Sequence, residues 1–208
     1  MAIGLFIDAS YVYKVYRDKI DYLKLRDHIE NTLGDSIDEA YYFNADNDPP
    51  TAEKFHGYLS MPYPKGPGFR VKVYWLSKKP LFWPEQFGGH PVMHPTDATV
   101  QYEMRSQKGV DVGLIFHMTK SYFRRKWSKL VLVAGDGDFY EPVQSLVESD
   151  GVDLHLVGSV TSMSSELRSY ARGIIEIDKE PIHSSLLFSG KMNDRQQETY
   201  APVNVEIQ

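Results

Sequence analysis

Short, almost wholly apolar segments alternate along this chain with segments of helical periodicity, and that alternation restricts the fold more than any other feature. GLFIDAS (4–10), IDEAYYFNAD (37–46), FRVKVYWL (69–76), KLVLVAG (129–135), VDLHLVG (152–158) and GIIEID (173–178) read as strands. Between them, 22–33, 51–61, 109–123, 139–149 and 162–171 read as helices. Apolar residues at 22, 25, 29 and 33, and Val110, Leu114, Met118 and Tyr122 in the later segment, each lie on one helical face. Thr51 is the expected cap of its helix, with Glu53 and Lys54 in the first turn. Strands apolar on both sides are buried on both sides. The pattern therefore predicts an α/β protein with a mostly parallel sheet and helices on both faces.

The 208 residues suffice for one such domain, expected over 1–180, followed by a polar tail at 181–208. Residues 77–98 carry proline, glycine and aromatics without periodicity, and read as part of a surface insertion at about 77–107. Within it Phe82, Trp83 and Phe87 suit a lid or a homodimer surface. There is no cysteine, so disulfides, thiolate nucleophiles and cysteine zinc sites are excluded. His90 and His94 are separated by prolines and lack further ligands for a structural metal. The first residues lack the basic and apolar regions of a signal peptide, and no run reaches 18 apolar residues, so the expected location is the cytoplasm, without a membrane partner. A net charge of −5 argues against a generally basic, duplex-coating surface but permits a local basic patch.

Chemistry concentrates at strand ends. VLVAGDGDFYEPV (131–143) runs a buried strand into Asp136 and Asp138, separated by one glycine. Asp8 ends the first strand. Asp111 falls in the first turn of a helix, where the dipole favours an anion. In an open parallel sheet, ligands bind at the carboxyl ends of strands beside a topological switch point. If the strands ending at Asp8 and before Asp136 are neighbours, the four carboxylates meet. An oxygen-only donor set suits Mg²⁺ or Mn²⁺, which can activate water for phosphodiester cleavage. Each Asp also has a structural alternative: Asp138 as a helix cap, and Asp111 as a helix-dipole residue.

FIDAS (6–10), KGVDVGL (108–114), LVAGDGDFYEPV (132–143) and SSELRSYARGIIEID (164–178) together resemble the NYN domain, in its LabA-like bacterial branch. The similarity spans about residues 3 to 178. It implies a Rossmann-like PIN fold, a divalent-metal pocket and RNA as substrate. By position, Asp8, Asp111 and Asp136 match the family's metal-binding aspartates, with Asp138 beside them and Asp46 at a further acidic position. Three departures stand out. The asparagine expected three residues after Asp8 is Tyr11, with Ala9 and Ser10 between; the second helical aspartate is His117; and the usual Ser or Thr before Gly-Asp is Ala134. Ser10 and His117 remain additional site candidates, although six residues at 100° turn His117 well round the helix from Asp111.

Lys108 and Arg105 lie nearest the acidic pocket in sequence and are the first candidates for RNA phosphate. Lys120 and Arg124 belong to KSYFRRKWSK (120–129), where aromatics interleave with cations, as suits unpaired bases. Cations also suit a helix C-terminus without any ligand. Ser164, with Ser162 and Ser165, opens the last helix as a cap or a phosphate contact. Two functions follow: a metal-dependent ribonuclease acting on single-stranded RNA, or a catalytically weakened RNA-binding regulator on the same fold.

Overall fold

The computed structural model describes residues 2–16, 20–46, 53–106 and 109–187. Its first half runs β1 (Ala2–Asp8), α1 (Ala9–Val15), α2 (Tyr22–Leu33), β2 (Ser36–Asp46), α3 (Glu53–Ser60) and β3 (Arg70–Trp75). An arm follows, with β4 (Ser77–Pro80), β5 (Met93–His94), β6 (Asp97–Gln101) and β7 (Glu103–Ser106). The second half is α4 (Val110–Arg125), β8 (Lys129–Val133), α5 (Tyr140–Glu148), β9 (Asp153–Gly158), α6 (Ser165–Ser169), β10 (Gly173–Glu176) and α7 (Ile182–Ser185).

Six strands form one parallel sheet in the order β10-β9-β8-β1-β2-β3. The chain builds outward from β1 to β3 on one side, then returns to β8 on the other. The switch point is therefore the seam between β1 and β8, where Ile7 pairs with Val133. Helices cover both faces, as β2 demonstrates. The Tyr41 and Phe43 rings meet His117 of α4, while Tyr42 between them meets Tyr22 of α2 and Phe55 of α3. Successive strand residues point to opposite faces, so those helices lie on opposite sides. The central strands supply the core: Leu5, Phe6, Ile7, Leu130, Val131, Leu132 and Val133 are fully buried.

Local signals place the helices. Asp21 caps α2, accepting from the N–H groups of Leu23 at 3.0 Å and Lys24 at 3.2 Å, and Gly34 ends it in the left-handed region. Helix α1 was not anticipated, because seven residues are too few to show a period; Asp8 caps it through the Ser10 N–H. Thr51, the expected cap of α3, lies outside the described residues.

The arm is not a structureless loop. It is two antiparallel two-stranded ribbons, β4 with β7 and β5 with β6. Phe82, Trp83 and Phe87 on it are half or more exposed. Past residue 180 the chain packs back on the domain: Leu186 is buried and its carbonyl accepts from Asp21 N–H at 2.8 Å. Residues 188–208, most of the expected tail, lie outside the described residues. Among the described residues no helix is long and apolar enough to cross a membrane.

One polar network crosses the core. The Glu39 carboxylate on β2 is fully buried; it accepts from Ser121 Oγ and pairs with Arg70 at 2.7 Å and Arg125 at 3.3 Å. Trp127 Nε1 donates to Ser121 Oγ at 3.0 Å, completing the chain of donors. A buried carboxylate needs such partners.

Candidate acidic active site

Asp8 leaves the sheet at the end of β1, and Asp136 stands three residues past the end of β8, so the seam between the strands carries both. Asp8 is buried. Its Oδ1 accepts from Ser10 N–H at 2.9 Å and Ser10 Oγ–H at 2.8 Å, which fixes the carboxylate. Burial pushes its pKa up to about 6; the Ser10 hydrogen bonds pull it back, and the negative charge of Asp111 raises it again.

Asp111 sits in the first turn of α4, after Gly109, which is in the left-handed region at φ 81°. Partial burial raises its pKa, and the charges of Asp136 and Asp138 raise it further. Asp111 thus acts on Asp8 and is acted on by Asp136 and Asp138.

The loop after β8 caps itself. Asp136 Oδ1 accepts from Asp138 N–H at 3.1 Å and opens a short 3₁₀ turn; Asp138 lies in that turn and is exposed. Capping therefore falls to Asp136 and not to Asp138, because the chain turns once before α5 begins.

The remaining candidates separate. Asp46 ends β2 three residues beyond Phe43, the partner of Asp8; Asp8 and Asp46 both raise the pKa of buried Tyr42, after burial itself. Ser164 caps α6, accepting from Leu167 N–H at 3.1 Å, and its own N–H donates to the Gly135 carbonyl at 2.9 Å, beside the acidic loop. His117 faces away from the carboxylates, over Tyr41 and Phe43, and its pKa is lowered by burial and by Lys72, Lys120 and Arg70. Lys120 is exposed over the Phe116 ring, and Arg124 is exposed in the last turn of α4, roughly 20 Å along the helix from Asp111. Arg105 is in β7 opposite Lys78. Lys108 lies outside the described residues.

Sequence reasoning missed Tyr11. Its buried hydroxyl pairs with Ser162 Oγ at 2.9 Å and accepts from Ser159 N–H at 3.3 Å. The residue in the asparagine position thus braces the loop after β9 against the acidic loop. The available signal was the coincidence of an aromatic there with Gly135 and Gly158, which leave room for its ring.

The donor type fits a hard cation: four carboxylates, of which Asp8 and Asp111 have their pKa raised first by burial and then by neighbouring carboxylate charge. Among the described residues, no three His, Asp or Glu side chains are already grouped to hold a metal ion.

The six-strand parallel sheet with helices on both faces is an α/β architecture consistent with a PIN/NYN-like fold. The NYN domain family model matches residues 2–178, and the chain belongs to that family. A crystal structure of a protein of unknown function from Vibrio parahaemolyticus shares the fold, with a TM-score of 0.56 and 21% identity over 90% of this chain and 96% of that one. No curated protein matches the chain. Membership of the family points to nuclease-like, RNA-related chemistry.

Proposed function

We propose that this chain is a divalent-metal-dependent ribonuclease that hydrolyses phosphodiester bonds in single-stranded RNA, in the cytoplasm. The observation that supports this reading is that Asp8 and the Asp136 loop leave neighbouring strands β1 and β8 at one edge, with Asp111 acting on Asp8 and acted on by Asp136 and Asp138. Asp8, Asp111 and Asp136 would hold Mg²⁺ or Mn²⁺, with Asp138 in support. Such an ion supplies an activated water and stabilises the departing oxygen. The chain's own part is placement. Ser10 holds the Asp8 carboxylate in one orientation, and the Asp138 N–H does the same for Asp136. The raised pKa of Asp8 makes proton competition with the ion strongest below about pH 6.

A second reading has its own support. Tyr11 stands in the asparagine position with its hydroxyl engaged, and His117, in the aspartate position, looks into a different cleft. Both departures favour a weakened enzyme that binds RNA as a regulator. Cleavage of a labelled mixed-sequence RNA in Mg²⁺, Mn²⁺ or EDTA, with Asp136→Asn alongside, separates the two. Cleavage requiring both metal and Asp136 supports the nuclease; binding without cleavage supports the regulator. Cleavage unchanged in Asp136→Asn overturns the assignment.

A further inference from the structure

The cleft between edge strand β3 and helix α4 carries cations that the acidic site does not use. Residues 70, 72 and 74 share one face of β3. Tyr74 packs that face on α4, since a Cβ on Gly113 would stand 1.8 Å from its hydroxyl oxygen. Gly113, His117 and Lys120 follow one another along one side of α4, and Arg125 in its last turn reaches the same region through Glu39. His117 marks the middle of the cleft: Lys72, Lys120 and Arg70 all act on it, and no carboxylate is among its main influences. At the far end Glu39 holds Arg70 and Arg125, each side chain still 45% exposed. Four cations thus face one buried carboxylate, in a chain whose net charge is −5.

The cleft has a direction. Its near end is the first turn of α4, which carries Asp111 on its other side; Arg125 lies 14 residues beyond Asp111, about 21 Å along the axis. A polyanion lying in it would end at the same edge of the sheet as the acidic site and reach it by turning round the first turn of α4.

We propose that this β3–α4 cleft is the track for the backbone of a single RNA strand entering the acidic site, with Lys72, Lys120, Arg70 and Arg125 on successive phosphates and His117 among them. The inference rests on RNA being the substrate. Glu39 pre-orders the two guanidiniums, lowering the entropy cost of their phosphate contacts. The half-buried His117 ring lies against the buried Tyr41 ring on the floor of the track. A phosphate beside His117 would offset the surrounding positive charge and raise its pKa.

The test is binding of a fluorescent mixed-sequence single-stranded RNA in EDTA, across a salt series, followed by anisotropy. Lys72→Ala and Lys120→Ala are compared with the parent and with Lys65→Ala, an exposed lysine near α3. Arg70 and Arg125 are left intact because they neutralise Glu39. The double variant should bind at least tenfold more weakly, with the slope of log K against log salt reduced by about 0.7 per lost contact. In NMR the His117 ring should titrate at higher pH when RNA is bound, with Arg70, Lys72, Lys120 and Glu39 as the surrounding charges. RNA binding with the parent's affinity and slope in the double variant overturns the track but leaves the RNA reading standing. No binding by the parent overturns both. A change in oligomeric state in the double variant, without loss of RNA binding, would make the cleft a self-association surface and also overturn the track.

Discussion

The Tyr11 ring occupies the space that a side chain at Gly135 would need: a Cβ there would stand 2.4 Å from Tyr11 Cε2 and 2.6 Å from the Ser162 carbonyl oxygen. The helix after β1, the acidic loop after β8 and the loop after β9 are therefore fitted to one another at a single point. Gly135→Ala should destabilise the fold by about 1–3 kcal/mol through overpacking. Urea denaturation of Gly135→Ala, Tyr11→Ala and the double variant gives the coupling. The alanine at 135 should cost less once the ring is gone, and purely additive losses would mean that the ring is not the obstacle.

Tyr11→Phe removes only the hydroxyl, and with it the bonds to Ser162 Oγ and Ser159 N–H. The expected loss is about 1 kcal/mol, the usual net worth of a buried hydrogen bond. A chemical denaturation midpoint equal to that of the parent would contradict it.

Burial makes Asp8 a liability for the metal-free chain above pH 6. The folded chain holds the Asp8 proton up to about pH 6, whereas the unfolded chain releases it near the ordinary 3.8. Protonation is thus tighter in the folded state, and Asp8 costs stability increasingly as pH rises from about 4 to 6. Above pH 6 the penalty is full, of the order of 3 kcal/mol. Asp8→Asn keeps a side-chain cap for α1 and removes the charge. Calorimetry in EDTA should therefore show a raised Tm at pH 8 and little change at pH 4. An equal effect at both would assign the shift to something other than ionisation.

Mn²⁺ should raise the Tm of the parent, by linkage worth about 2.7 kcal/mol at a hundredfold excess over Kd. The same titration should leave Asp111→Asn and Asp136→Asn nearly unmoved. A parent insensitive to millimolar Mn²⁺ or Mg²⁺ would remove the metal from the proposed function.

Glu39→Ala leaves Arg70 and Arg125 without their shared carboxylate and Ser121 without its acceptor. Both arginines are half exposed and can turn to water, so the cost should be about 2 kcal/mol, below that of a fully buried pair. Thermal melts followed by Trp127 fluorescence would register it. A neutral substitution would mean that the network adds no net stability.

The sheet and most helices were legible because apolar runs and 3.6-residue periods are local properties. The placement of Asp8 and Asp136 at one edge was legible for a related reason: strand ends in a parallel sheet lie on one edge, so position in an element forecasts position in space. What escaped was non-local or too short. Helix α1 has too few residues to display a period. The ribbons of the arm pair residues such as Ser77 and Ser106 across nearly thirty positions, with no hairpin turn signal at their junction. Tyr11 looked like a loss of the family's asparagine, and only the fold brings Gly135, Gly158 and Ser162 around it. Neither Gly135 nor Gly137 of the acidic loop adopts positive φ. Gly135 instead gives way to a ring, while a Cβ at Gly137 would meet nothing closer than 3.6 Å.

The arm leaves and re-enters the domain through one narrow neck. Ser77 pairs with Ser106 at its base, and the Tyr74 ring lies within 3.8 Å of where a Cβ on Gly109 would stand. The two ends of the parent domain are thus already fastened together without it. Everything distal to that neck should therefore behave as a detachable module, one whose excision or exchange for another ribbon leaves the six-strand sheet in place.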